Sequence, residues 1–325
     1  MISKTKYPIT NEQIKKLFFK AGFKNIGNIA PLGDGEYNAV YSVTADGKDY
    51  AIKIAPAPDC EVLTYEKNMM NAELYWYEQI AKTEINAPAI IYSDFSRDTI
   101  RTDWFIMEKL GGNALSHCKL TDVEKQESEK AILDIAAEMH KVYHNEFGYA
   151  SGEKFSTWYD ALKHIITSLV SDCSKKNRKC KNGEKLLKVL EKYRDVFTDV
   201  ECVMVNFDLH PGNIMYDKEN PKSKYWIVDL ERGLWGDKIL DFVHFDLMHP
   251  MEKKTRTLEY YNSVAEKKIT VDDGIKLRYA MGQALMALIM ETEKYYRYTP
   301  HHFGWWRNVV ACAFLYNSAF RVFNK

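Results

Sequence analysis

The residue types best suited to chemistry fall in one stretch, Val205-Asn206-Phe207-Asp208-Leu209-His210-Pro211-Gly212-Asn213-Ile214-Met215-Tyr216, and in Tyr225-Trp226-Ile227-Val228-Asp229-Leu230 just downstream. Asp208, Asn213 and Asp229 carry side-chain oxygens at loop and strand-end positions, where side chains converge without disturbing a core. Oxygen donors suit magnesium, which keeps several waters and takes one or two protein carboxylates, leaving other positions to substrate phosphates. Asn213 and Asp229 are the candidate metal ligands. Asp208, five residues before Asn213, would lie beside the metal without ligating it. It is the candidate catalytic residue, placed to accept or orient a hydroxyl proton. The competing reading is two hairpin turns whose Asp and Asn are ordinary turn residues.

The elements that must position these groups are short. Residues 202–205, 213–216 and 225–228 are rich in β-branched and aromatic side chains and read as strands, with His210-Pro211-Gly212 forcing a tight loop between the first two. The D-x-x-x-x-N spacing followed by a strand and Asp resembles the catalytic and metal-binding segments of protein kinases. In detail it resembles the aminoglycoside phosphotransferase and choline kinase superfamily, which often reads H-G-D-x-x-x-x-N and then I-D. The chain keeps D-L-H-P-G-N and V-D and departs at Asn206 and Phe207. The usual His helps hold the catalytic loop, so the departure concerns the support of that loop.

Towards the N-terminus, Thr10-Asn11-Glu12-Gln13 reads as a capping box, with Ile14, Leu17 and Phe18 at helical spacing and Gly22 as a stop. Strands follow at 26–32, 39–45 and 50–55, the last two joined by Asp46-Gly47-Lys48, a strong hairpin signal. Gly33 and Gly35 form either another hairpin turn or a flexible cover over nucleotide phosphates. On the next strand Lys53 alternates with Ile52 and Ile54 and so faces away from them. By the resemblance it falls where the superfamily carries the lysine that contacts the α- and β-phosphates. Its carboxylate partner would come from a helix at about 65–82, which offers Glu66, Glu73 and Glu78; the family spacing favours Glu73, with Glu66 in reserve. A solvated helix face is the alternative for all three. Strands at 90–92 and 104–107 complete the sheet, and Phe105 to Gly112 resembles the interlobe linker, whose backbone at Met107, Glu108 and Leu110 would read the adenine edge.

Beyond Gly112 the pattern turns helical. Thr121 caps a helix ending at His140, a histidine expected to tie helix to loops; further helices are expected at 156–172 and 184–197, with an exposed basic loop at 175–181. Asp237 and Asp241 are expected to cap a helix start and anchor backbone N–H groups. The remaining helices are expected at about 237–247, 252–267, 271–297 and 304–322. Rings at Tyr295, Tyr296, Tyr298, Phe303, Trp305 and Trp306 fit a core better than a cage for a cation.

Composition narrows the class. Lys+Arg and Asp+Glu both number 45 in 325 residues, so nothing draws the chain to nucleic acid or an anionic membrane. No leader-like or spanning apolar run is visible, and six scattered cysteines read as reduced thiols in cytoplasm. The reading is an α+β, bilobal protein-kinase-like fold. Residues 1–110 form an antiparallel nucleotide-binding lobe, and residues 111–325 a mainly helical lobe with the catalytic loop and the acceptor site. The resemblance implies Mg²⁺-dependent transfer of the γ-phosphoryl group of ATP, with GTP as the other donor, to a hydroxyl of a small molecule. That acceptor would be an aminoglycoside-type antibiotic or a related amino alcohol or sugar. A polycationic acceptor would want an acid-lined pocket, for which Glu231, Asp246, Glu291 and Glu293 are at hand. The rivals are a regulatory nucleotide-binding module and a scaffold acting through the basic loop.

Overall fold

The computed structural model describes residues 5–33, 37–220, 222–244 and 249–325. Thr10 accepts the Gln13 N–H at 3.3 Å while the Gln13 side chain accepts the Thr10 N–H at 3.0 Å, and this reciprocal cap starts α1, Asn11–Lys20. Strands β1 (Ile26–Pro31), β2 (Ala39–Ala45), β3 (Lys48–Ile54), β4 (Ile90–Asp94) and β5 (Trp104–Glu108) form an antiparallel sheet of order β1-β2-β3-β5-β4. Asp46 and Gly47, at φ 46° and 80°, make a two-residue hairpin that pairs Ala45 with Lys48.

Strand alternation then sorts the two sheet faces. Ile52, Ile54 and Ile106 pack with Ile14, Leu17 and Phe18 of α1 in one core. Lys53 and Phe105, paired across β3 and β5, look the other way, towards α2 (Met69–Ile80). The helix expected at 65–82 is shorter than its pattern. Thr64–Glu66 forms a 3₁₀ turn, and Asn68 at φ 58° breaks the path before α2 begins. Met70, Trp76, Tyr77 and Ile80 of α2, with Phe105, belong to the second and larger core, which continues into the helices beyond the linker.

That helical region holds β6 (Asn113–Ala114), α3 (Asp122–Met139), β7 (Gly148–Tyr149), α4 (Trp158–Lys175), α5 (Lys181–Lys192), α6 (Arg194–Thr198), β8 (Val203–Val205), β9 (Ile214–Tyr216), β10 (Tyr225–Ile227) and β11 (Leu234–Gly236). Helices α7 (Thr255–Val264), α8 (Asp273–Arg297) and α9 (Phe303–Phe323) follow. Two small sheets, β10-β9-β6 and β7-β11-β8, frame the chemically rich loops. The basic run expected as an exposed loop is one over 176–180, bounded by Lys175, which ends α4, and Lys181, which opens α5. The helix expected at 237–247 is a 3₁₀ turn over Lys238–Phe242, started by Asp237 accepting the Ile239 N–H at 3.1 Å; residues 245–248 lie outside the described ones. Of the rings near the end of the chain, Tyr298 is buried, but Phe303 and Trp306 are exposed, so the core expectation fails for those two.

Candidate active site

Lys53 is buried, and β3 delivers its ammonium to three carboxylates: Glu73 at 2.7 Å, Asp229 at 2.8 Å and Glu231 at 3.5 Å. Glu73 is carried by the middle of α2. Asp229 follows β10 in the left-handed conformation, φ 61°, which a non-glycine residue holds only where its surroundings fix it; its N–H donates to the Tyr77 hydroxyl at 3.3 Å. Oxygens of Glu73, Asp229 and Glu231 lie within 4.8 Å of one another, an arrangement that could hold a metal ion. Burial pushes the Glu73 carboxyl up to about 7 against the pull of Lys53. Burial and the neighbouring Asp229 charge push Glu231 up to about 8. Three acids thus share one lysine. Glu66 is not among them: it is buried against Arg297 of α8 and accepts the Leu63 N–H at 2.9 Å. The reserve assignment therefore falls away, because the 3₁₀ turn points Glu66 to a different neighbour. Glu78 is exposed.

Asp208 sits beyond β8 on a loop whose backbone Asp241 holds, accepting the N–H groups of Asn206 at 3.3 Å and Phe207 at 2.7 Å. His140 braces Asp241 at 3.1 Å and meets the Tyr261 hydroxyl at 2.8 Å through its other nitrogen. The loop is therefore held without a histidine at 206; the Asn206 amide is buried and neither of its polar atoms has a partner. Phe207 stands where the superfamily pattern has glycine and takes φ 55°, a left-handed conformation that costs an L-residue about 1–2 kcal/mol. Its buried ring offsets that cost.

The Asn213 amide donates to the Asp208 carbonyl at 3.0 Å and to its carboxylate at 3.3 Å, so the two candidate residues are joined directly. Around the Asp208 carboxylate stand Arg232 (3.9 Å), His244 (3.4 Å, without a hydrogen bond) and His210 (3.6 Å). Burial alone would raise the Asp208 carboxyl, but Arg232, His244 and His210 together hold it below the usual range. Burial pulls His244 down to about 4 against the Asp208 charge beside it.

Met107 and Glu108 end β5 in register with Ala51 and Tyr50, and the Glu108 N–H donates to the Ala89 carbonyl at 2.8 Å. The linker then crosses tightly over β9: a Cβ at Gly112, φ 70°, would lie 2.0 Å from the Tyr216 carbonyl oxygen. Leu110 is half-buried within this bend. Gly33 has φ 73° with open space around it; Gly35 and Asp246 lie outside the described residues. Sequence reasoning gave no role beside Asp208 to Arg232 and His244, and did not place Glu231 beside Lys53. For Glu231 a signal existed, a second carboxylate two residues after Asp229.

The sequence model of the APH phosphotransferase enzyme family matches residues 28–265, a span that holds every one of these groups except Glu293 and Arg297 of α8. The chain belongs to that family. It is accordingly a phosphotransferase, a small-molecule kinase. No curated protein matches it in sequence. Among solved structures, the phosphotransferase is similar to a candidate fructosamine-3-kinase from Haemophilus somnus 129PT (15% identity, TM-score 0.66, 96% of this chain and 97% of that one). It is also similar to aminoglycoside phosphotransferase APH(4)-Ia in ternary complex with AMP-PNP and hygromycin B (15%, TM-score 0.63, 97% and 98%). A third likeness is to ADP-bound aminoglycoside phosphotransferase APH(2'')-Ib (16%, TM-score 0.58, 97% and 99%). At such identities the likeness establishes the protein-kinase-like fold expected for this phosphotransferase. No helix among its described residues is long and apolar enough to cross a membrane.

Proposed function

We propose that this phosphotransferase moves the γ-phosphoryl group of ATP to a hydroxyl of a small molecule. Residues 1–110 would bind the nucleotide, residues 111–325 would supply the catalytic loop and acceptor site, and the protein would work in the cytoplasm. The observation that carries the reading is the convergence of Lys53 and Glu73 from one lobe on Asp229 of the other, within hydrogen-bond distance.

Lys53, steadied by Glu73, contacts the α- and β-phosphates once a nucleotide draws it from Asp229. The Gly33 and Gly35 turn covers the phosphates, and the backbone at Met107, Glu108 and Leu110 reads the base edge. Asp208, kept ionised by Arg232 and oriented by Asn213, accepts the proton of the attacking hydroxyl. The oxygen-only donor set of Asp229 and Asn213, extended by Glu231, fits Mg²⁺. Such an ion supplies charge neutralisation on the phosphoryl oxygens. Positioning and electrostatics do most of the remaining work, since the transferring group needs little covalent help. GTP is a candidate second donor; one similar phosphotransferase is solved as a GDP and kanamycin complex.

The test is phosphate transfer from ATP and GTP with Mg²⁺ across aminoglycosides, amino alcohols and sugars, with Asp208→Asn as control. Transfer that vanishes in the variant supports the reading. Mg·ATP binding with no transfer to any class favours the regulatory module instead.

A further inference from the structure

Three consecutive aromatic residues of α2, Tyr75, Trp76 and Tyr77, meet the segment that carries Asp229 and Glu231. Residues four apart share one face of a helix, so Tyr77 stands one turn beyond Glu73, which meets Lys53 at 2.7 Å. Tyr77 is buried with its ring edge-on to Phe105 of β5. Its hydroxyl accepts the Asp229 N–H at 3.3 Å. A single turn of α2 therefore touches both the candidate phosphate lysine and the candidate metal aspartate.

Trp76 sets the register of this contact. A Cβ at Gly233 would lie 2.5 Å from the Trp76 indole nitrogen, so the backbone shortly after Glu231 runs directly against a fully buried ring. The same ring meets Trp235 of β11 edge to face, with centroids 5.0 Å apart. Tyr75 completes the set by accepting the Trp235 indole N–H at 3.1 Å. Trp235 pairs with Met204 of β8, and β8 leads into the loop of Asp208.

Asp229 has reason to need such an anchor. Its left-handed backbone, φ 61°, is held only where neighbours fix it. In the proposed reaction Lys53 leaves Asp229 for the phosphates, and the ion pair between them is lost. The bond from the Asp229 N–H to Tyr77 does not involve Lys53 and persists through that change.

We propose that Tyr77 is a positioning residue for the Asp229 carboxylate, and that Tyr75, Trp76 and Tyr77 make α2 the rod that sets Lys53 and Asp229 relative to each other. The inference rests on the phosphoryl-transfer reading, in which Lys53 meets the phosphates and Asp229 the Mg²⁺.

The test compares the full chain with Tyr77→Phe, which removes one oxygen and keeps the ring. Two quantities are read: the Mg²⁺ concentration that half-saturates the thermal shift with ATP present, and the ATP Kd without Mg²⁺. In Tyr77→Phe the half-saturating Mg²⁺ should rise about three- to tenfold, the size of one lost hydrogen bond, while the metal-free ATP Kd changes less than about twofold. Gly233→Ala, which forces Trp76 and α2 away from the segment, should raise the Mg²⁺ requirement in the same direction, and Trp76→Phe introduced with it should restore part of the loss by making room. A Mg²⁺ requirement unchanged in Tyr77→Phe, or one that rises only in step with the metal-free ATP Kd, overturns the proposal. If Mg·ATP neither stabilises the unmodified protein nor is consumed with any acceptor, the phosphoryl-transfer reading fails first and this inference falls with it.

Discussion

Lys53 and Arg232 are both buried cations among carboxylates, yet their surroundings are balanced differently. Around Lys53 three acids face one ammonium, one of them, Asp229, with 41% of its side chain exposed. Around Arg232 the acids are interleaved with a second guanidinium, Arg297. The titration directions differ in part: burial drives Glu73 and Glu231 up and Glu66 with them, whereas the guanidiniums hold Asp208 and Glu293 down despite burial. An oversupplied cluster with an open edge is suited to receive a cation from outside. One whose acids alternate with two guanidiniums is suited to hold a shape. The first therefore reads as the nucleotide and metal side of the reaction, the second as the frame that orients Asp208.

Asp208 carries the proposed proton transfer, so its removal gives the largest effect. Asp208→Asn should lower kcat by about 10²–10⁴, the range of a positioned general base, while leaving the ATP Kd nearly unchanged. A parallel loss of ATP binding would merge the two clusters into one and break the comparison.

Arg297 tests the frame. Replacing it by Ala leaves Glu66 and Glu293 short of a cation in buried surroundings. That should cost about 3–5 kcal/mol in urea unfolding, as for other broken buried pairs. The double variant Arg297→Met with Glu66→Gln should recover a large part of it. If the single variant unfolds like the unmodified protein, the Arg297 pairs do not hold the frame together.

The Lys53 cluster predicts a pH dependence. Glu231, the proposed extension of the metal's donor set, is raised to about 8, and Glu73, the Lys53 partner, to about 7; a protonated Glu231 does not ligate a metal, and a protonated Glu73 does not pair with Lys53. Raising the pH through this window removes those protons. Apparent Mg²⁺ affinity, read by thermal shift without nucleotide, should therefore rise about tenfold or more between roughly pH 6 and pH 8.5. A flat profile would mean the acids are already ionised and the cluster is as self-contained as its neighbour.

These contrasts mark how far sequence reading reaches. Strand alternation makes the facing of Lys53 legible, but Glu73 is preferred over Glu66 and Glu78 only through the family spacing that the resemblance implies; the D-x-x-x-x-N spacing ties Asp208 and Asn213 locally. The cluster around Arg232 and Arg297 was not legible. Its members come from residues 66, 208, 232, 293 and 297, and no local period links an α8 carboxylate to the turn before α2. The same holds for Glu291 and Glu293: as neighbours in sequence they suggest one acidic pocket, but helix geometry sends them to opposite sides. The shortened α2 shows the reverse case, where one left-handed residue, Asn68, breaks the helix expected to start near residue 65.

Asn206 gives the smallest effect and bears on how the loop is held. Its side chain is buried without a partner, whereas its backbone N–H is bound by Asp241, itself braced by His140. If that brace supports the loop, the amide contributes nothing that a similar apolar shape would not. Removing an unpaired buried amide also relieves a desolvation cost of about 1–3 kcal/mol. Asn206→Leu should then be neutral or stabilising by about 1 kcal/mol, with kcat changed less than about twofold. His140→Ala should instead loosen Asp241 and lower kcat while leaving the ATP Kd unchanged. The opposite ranking, a damaging Asn206→Leu and a silent His140→Ala, would return the support of the catalytic loop to position 206.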